Sequence, residues 1–193
     1  MKTLTAGEFE AAVGLDPAWA SKLTEPVEIT DYCDMTGSKI THLSPLLHFK
    51  GKDEDGDSAA FWKCQSLKTA EGNFSGFVSF MNAGIQKIGS ITCGKNKKGN
   101  SADFYKCQSL KTAEGTFPGA VDFSHSGIEK IGELTCGKNL NGMRADFQAC
   151  PNLTHIPIHF KQSEIKANPE LIQKLIRNKA AAHLRKQAEQ LEI

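Results

Sequence analysis

The sequence predicts an α+β repeat solenoid, a stack of short parallel strands closed by a helical cap at the N-terminus and a helix at the C-terminus. Three observations predict it. A 43-residue segment occurs twice in tandem, at 59–101 and 102–144, with 27 identical positions. Inside each copy, pairs of apolar residues three apart recur more often than the long period requires. The segments flanking the repeat carry helix signals and lack its pattern.

The two copies are AAFWKCQSLKTAEGNFSGFVSFMNAGIQKIGSITCGKNKKGNS and ADFYKCQSLKTAEGTFPGAVDFSHSGIEKIGELTCGKNLNGMR. A third begins as ADFQACPNLTHI at 145, and a diverged one, SKITHLSPLLHF, precedes the first at 38–49. The apolar-x-x-apolar units start at 40, 67, 85, 110, 128 and 153, so the steps alternate, mostly 18 and 25 residues. Each short strand has an apolar edge it cannot bury alone, and stacking turns those edges into one core. Six such rungs at ~4.8 Å each make a parallel sheet roughly 25 Å across.

Three segments keep a single register: Phe61-x-x-Cys64-x-x-Leu67-x-x-Ala70, Phe104-x-x-Cys107-x-x-Leu110-x-x-Ala113 and Phe147-x-x-Cys150-x-x-Leu153-x-x-Ile156. This pattern resembles the F-x-x-C-x-x-L-x-x-I element of bacterial BspA-like leucine-rich repeats, over about residues 38–160. The resemblance implies a leucine-rich-repeat-like solenoid with a strand-lined concave face, in a family of mostly binding proteins that are often secreted or surface-displayed. This chain departs from it in two ways. No export signal is expected in the chain as written, and its alternating step is less regular than the family pattern, which keeps a parallel β-helix as the alternative fold.

Between the rungs, Phe74–Phe80 and Phe117–Phe123 alternate Val and Phe with small or polar residues. They read as further short strands, Val78/Phe80 and Val121/Phe123, reached through Gly76 and Gly119. The Gly-Lys-Asn turns at 94–99 and 137–142 read as exposed loops. The acidic run Asp53-Glu-Asp55-Gly-Asp57 falls at the same place one repeat earlier. It lacks the Gly and Glu that an EF-hand loop needs at its sixth and twelfth positions, so it reads as a solvated turn.

Domain boundaries follow: an N-terminal helical cap over 1–26, the solenoid over 27–160, and a capping or projecting helix over 161–193. Thr5 and Glu8 have capping-box spacing before Phe9, Ala12 and Val13, predicting a helix that ends near Gly14. Val27-Glu-Ile29 aligns with Val121-Asp-Phe123 and reads as the half-repeat that begins the stack. Asn168-Pro169 starts the last helix, which runs to about Leu191. Leu171, Ile172, Leu175 and Ile176 make a docking face, while Ala180, Leu184, Ala188 and Leu191 drift round the helix. Its second half is expected to project or to pair with another chain.

The whole chain has a net charge of +1 and no apolar run long enough to span a membrane. Neither nucleic acid nor membrane is an expected partner, and the chain as written reads as cytoplasmic, or extracellular if a signal was removed. Charge is unevenly placed, at −6 over 1–58, +4 over 59–160 and +3 over 161–193. Solvated surfaces of different sign account for it, with head-to-tail association as the alternative.

Chemistry is harder to find. Cys64, Cys107 and Cys150 occupy one repeat position and Cys93 and Cys136 another. Two rungs apart is about 10 Å, beyond the roughly 7 Å that a disulfide tolerates, which excludes disulfides within a column and leaves a cross-column pair open; the thiols read as small buried hydrophobes. Cys150, His155 and His159 are too widely spaced on an extended chain to serve as a zinc set, unless Pro157 bends the segment. No nucleophile–base pair or phosphate loop stands out, and no metal or cofactor is expected. The expected function is therefore a non-catalytic scaffold for an unknown protein partner. Its candidate surface is the set of positions between the apolar pairs: His42, Lys68, Thr69, Gln86, Lys87, Lys111, Thr112, Glu129, Lys130 and His155. A self-assembling module, a homo-oligomer formed through the C-terminal helix, and a surface adhesin are the alternatives.

Overall fold

A computed structural model describes residues 1–191. In chain order its elements begin with β1 (Lys2–Leu4), helix α1 (Ala6–Leu15), β2 (Val27–Ile29), β3 (Cys33–Asp34), β4 (Leu47–Phe49), β5 (Asp57–Ala60) and β6 (Thr69–Phe74). They continue with β7 (Phe77–Ser79), β8 (Lys87–Cys93), β9 (Asn100–Asp103), β10 (Thr112–Phe117) and β11 (Ala120–Asp122). The last are β12 (Lys130–Cys136), β13 (Ala145–Phe147), β14 (Ile165–Ala167) and helix α2 (Pro169–Leu191).

The strands form two seven-stranded sheets, β1-β2-β4-β6-β8-β10-β12 and β14-β13-β11-β9-β7-β5-β3. The pairings are parallel throughout. From β2 to β13 the chain alternates between the sheets, so each turn contributes one strand to each. The molecule is a parallel β-solenoid with a helix at either end, as expected in outline.

Several expectations change in detail. Val27–Ile29 pairs with Leu47–Phe49 in the first sheet, whereas Val121 and Asp122 lie in the second, so their sequence match does not mean structural equivalence. Alternation alone says that a strand has a buried side, not which sheet it joins. The unit at 153–156 buries Leu153 and Ile156 but forms no strand. The unit at 40–43 gives a single bridge, His42 to Thr69. The sheets also cross the expected boundaries, through β1 in the cap and β14 after residue 160.

Inward positions build one continuous core. Strand β6 buries Ala70, Gly72 and Phe74 and turns Thr69, Glu71 and Asn73 outward. Register shifts by one residue between Ala70 and Gly72, and Gly72 has φ +118. A Cβ there would sit 3.2 Å from the Leu47 carbonyl oxygen, so this bulge needs glycine. Along the second sheet Phe61, Phe80, Phe104, Phe123 and Phe147 form a ladder of stacked rings, with centroids 5.2–5.6 Å apart. Edge-on rings close it, Phe49 against Phe61 and Phe160 against Phe147.

The turns stack as well. Asp53, Asn96 and Asn139 each accept two backbone N–H bonds across their own loop, to residues two and four ahead. The acidic run is thus the first copy of the Gly-Lys-Asn turn, and Asn96 donates to the Asp57 carboxylate beside it.

At the front, Thr5 and Glu8 form the capping box of α1, which packs Phe9 and Val13 into the core and ends at Leu15. Phe9 meets the Trp19 ring edge-on at 5.9 Å. At the back, α2 buries Leu171 and Leu175, whereas Leu184 is 64% exposed. Its first half docks, and in its second half Ala181, Ala182 and Arg185 still lie over His155 and Ile158 while Leu184 faces water; the Leu191 side chain lies outside the described residues. The last strand of the first sheet is finished by side chains. His159 Nε2 lies 2.8 Å from the Leu134 carbonyl oxygen, and the Arg144 guanidinium donates to the Cys136 carbonyl. Buried Glu164 accepts from Arg144 and pairs with Lys138, each at 2.7 Å. The two cations hold its carboxyl at about 2.

Candidate binding surface

Nine of the ten sequence candidates come together at the leading edge of the first sheet. His42, Thr69, Lys87, Thr112 and Lys130 are direct neighbours in register. One residue earlier, backbone bonds run from Lys68 to Thr41, Gln86 to Lys68, Lys111 to Gln86 and Glu129 to Lys111, at 2.8–3.0 Å. Equivalent positions of one repeat lie two rungs apart, and those of the odd and even units interleave into two unbroken columns. The reason is the alternation of 18- and 25-residue steps, which brings odd and even units into one sheet.

Both columns face water: Lys68, Gln86, Lys87, Lys111, Thr112, Glu129 and Lys130 are exposed, and His42 and Thr69 are half-buried. Glu129 pairs with Lys111, but both are about half exposed, so the pair contributes little. Among the described residues no carboxylate lies within ion-pair distance of Lys68, Lys87 or Lys130. This edge therefore presents cationic and hydroxyl groups on strands one rung apart, held by main-chain bonds.

His155 does not join them. It lies in the irregular segment after β13, with Nδ1 3.3 Å from Asn178 Nδ2 of α2. Cys150 donates to the Phe123 carbonyl and His159 contacts Leu134, so the apparent zinc set is directed to three different places. Among the described residues no group of three His, Cys, Asp or Glu side chains is placed to hold a metal ion. The six cysteines are all buried and free.

The structure adds three surfaces that periodicity did not reveal. Down the middle of the first sheet runs Thr3, Glu28, His48, Asn73, Thr92, Thr116 and Thr135. On the second sheet Asp103, Asp122 and Asp146 occupy consecutive rungs and end at Lys166. They line a cleft of about 230 Å³. Burial, reinforced by Asp122, pushes the Asp103 carboxyl up to about 6, against the hydrogen bond it accepts from Tyr105 N–H.

The third surface is the corner that follows the second sheet. Lys63, Asn82, Lys106, His125 and Ala149 have φ between 50 and 60, and Gly37 takes the same place in the first turn. This left-handed ladder turns Trp62 and Tyr105 outward with a lysine over each ring, at 4.5 and 5.0 Å. Its only signal in the sequence is the recurrence of an aromatic-Lys pair at 62–63 and 105–106.

Compared with protein-family models, curated proteins and solved structures, the chain matches none. Among the described residues no helix is long and apolar enough to cross a membrane.

Proposed function

We propose that this protein is a non-catalytic scaffold that binds an acidic protein partner along the leading edge of its first sheet. One observation carries the reading: His42, Thr69, Lys87, Thr112 and Lys130 occupy that edge on consecutive rungs, flanked by Lys68 and Lys111. Main-chain bonds fix their spacing, so a partner meets a row whose backbone is already ordered. The uncompensated lysines favour a partner of opposite charge and speed its approach. Resemblance of the F-x-x-C-x-x-L-x-x-I pattern to leucine-rich repeats supports the same reading, because that family consists mostly of binding proteins.

The test compares capture by the intact protein with capture by Lys87→Glu/Lys130→Glu. Both positions are exposed, so the variant should fold. Loss of a partner that the intact protein retains, with Lys95→Glu/Lys97→Glu on a distant turn still retaining it, supports the reading. Equal capture by all three proteins rules this edge out.

A further inference from the structure

We propose that the two capping helices bind one another between copies, so that the protein assembles head to tail. Each end of the solenoid presents the outer face of one helix. Helix α1 turns Phe9 and Val13 inward and leaves Glu8, Ala11 and Leu15 exposed, with Leu15 at 90%. Helix α2 turns Leu171 and Leu175 inward and leaves Arg177, Ala180 and Leu184 exposed, with Leu184 at 64%.

The two outer faces match position by position. Spacings of three and then four residues put each triplet on one stripe of its helix. A parallel pairing then sets Leu15 beside Leu184, Ala11 beside Ala180, and Glu8 beside Arg177. Small residues at the middle contact let two helices approach closely, and leucines at the next contact supply the apolar area.

Charge follows the same direction. Residues 1–34 have a net charge of −5 and residues 161–193 a net charge of +3. Two heads or two tails repel, whereas a head and a tail attract. The first sheet does not continue across the junction, because His159 and Arg144 occupy the carbonyl groups of Leu134 and Cys136 on its last strand. Because head and tail are different surfaces, the contact is heterologous and propagates as a chain instead of closing as a dimer.

Sedimentation of the full chain over a range of concentrations tests this. The expected result is a mass that climbs from 21.0 kDa without a plateau at twice that value, and falls back when salt is raised. Leu15→Glu blocks the head and Leu184→Glu the tail, so that the two blocked faces also repel each other. Each variant, checked for native circular dichroism, should stay monomeric alone. Mixed in equal amounts they should form a species of twice the monomer mass and nothing larger. A wild-type protein that remains at 21.0 kDa at every concentration overturns the proposal. So does a plateau at the dimer, or continued assembly by either variant alone. Lys87 and Lys130 lie outside both helices, so failure here leaves the leading-edge reading standing, and the reverse holds too.

Discussion

The thiol of Cys107 lies 3.1 Å from the carbonyl oxygen of Phe80, on the neighbouring turn of the solenoid. Cys64 and Cys150 repeat the contact, to Met35 at 3.0 Å and Phe123 at 3.0 Å. The cysteine column therefore does more than fill space. Each thiol gives a second donor to a carbonyl at the corner where the chain leaves the second sheet.

That burial makes the thiols inert. It pushes Cys33, Cys107 and Cys136 up to about 12, so the thiolate is scarce at neutral pH. A thiol reagent such as Ellman's should find no reactive cysteine in the native protein and six after denaturation. Cys107→Ala should cost about 1–2 kcal/mol in chemical unfolding, from the lost donor and the small cavity. A rapidly labelled native cysteine would contradict the packing described.

Ala149 stands in the left-handed ladder with φ 50 and an exposed side chain. An alanine in that conformation carries backbone strain that glycine does not, and here little packing offsets it. Ala149→Gly should therefore raise stability by about 1 kcal/mol in a denaturant titration. A loss of stability would mean that the Ala149 side chain contributes a contact worth more than the strain.

Asp103 should make the protein less stable as pH rises. Its carboxyl titrates at about 6 in the folded chain, above its ordinary value of 3.8. Between these values the folded state holds a proton that the unfolded state has lost, so stability declines across that window. Asp103→Asn keeps an oxygen to accept from Tyr105 N–H and removes the charge. It should leave stability near pH 4 almost unchanged and raise it by on the order of 2 kcal/mol above pH 6. Equal gains at both pH values would point away from titration.

Glu164 acts in the opposite sense. Lys138 and Arg144 hold its carboxyl at about 2, below the ordinary 4.5. Its contribution is therefore complete above the ordinary value and is lost as pH falls toward the folded one. Glu164→Gln should unfold more easily at neutral pH and converge on the wild type in strong acid. Parallel acid curves for the two proteins would show that the ion pairs do not hold the C-terminal end.

The sequence by itself determined the repeat, its two unequal steps, the polar turns and both end helices. These follow from local rules. Thr5 and Glu8 make a capping box wherever they precede a helix, and a 43-residue repeat with 27 identical positions puts equivalent positions into equivalent environments. It also determined which side chains leave the core, so Lys87 and Lys130 were legible as surface residues. Only the tertiary structure decided how those residues meet. Strand pattern gives a buried side but no sheet, so Val27–Ile29 and Val121–Asp122 could not be assigned to different sheets before their neighbours were known. The three-residue strands β1 and β14 are too short to carry a pattern and exist because a neighbouring edge offers hydrogen bonds. The corner ladder of Lys63, Lys106 and His125 depends on backbone angles that side-chain type does not encode. Thr69 and Lys87 lie 18 residues apart in the chain, and their contact exists because the solenoid closes a full turn between them.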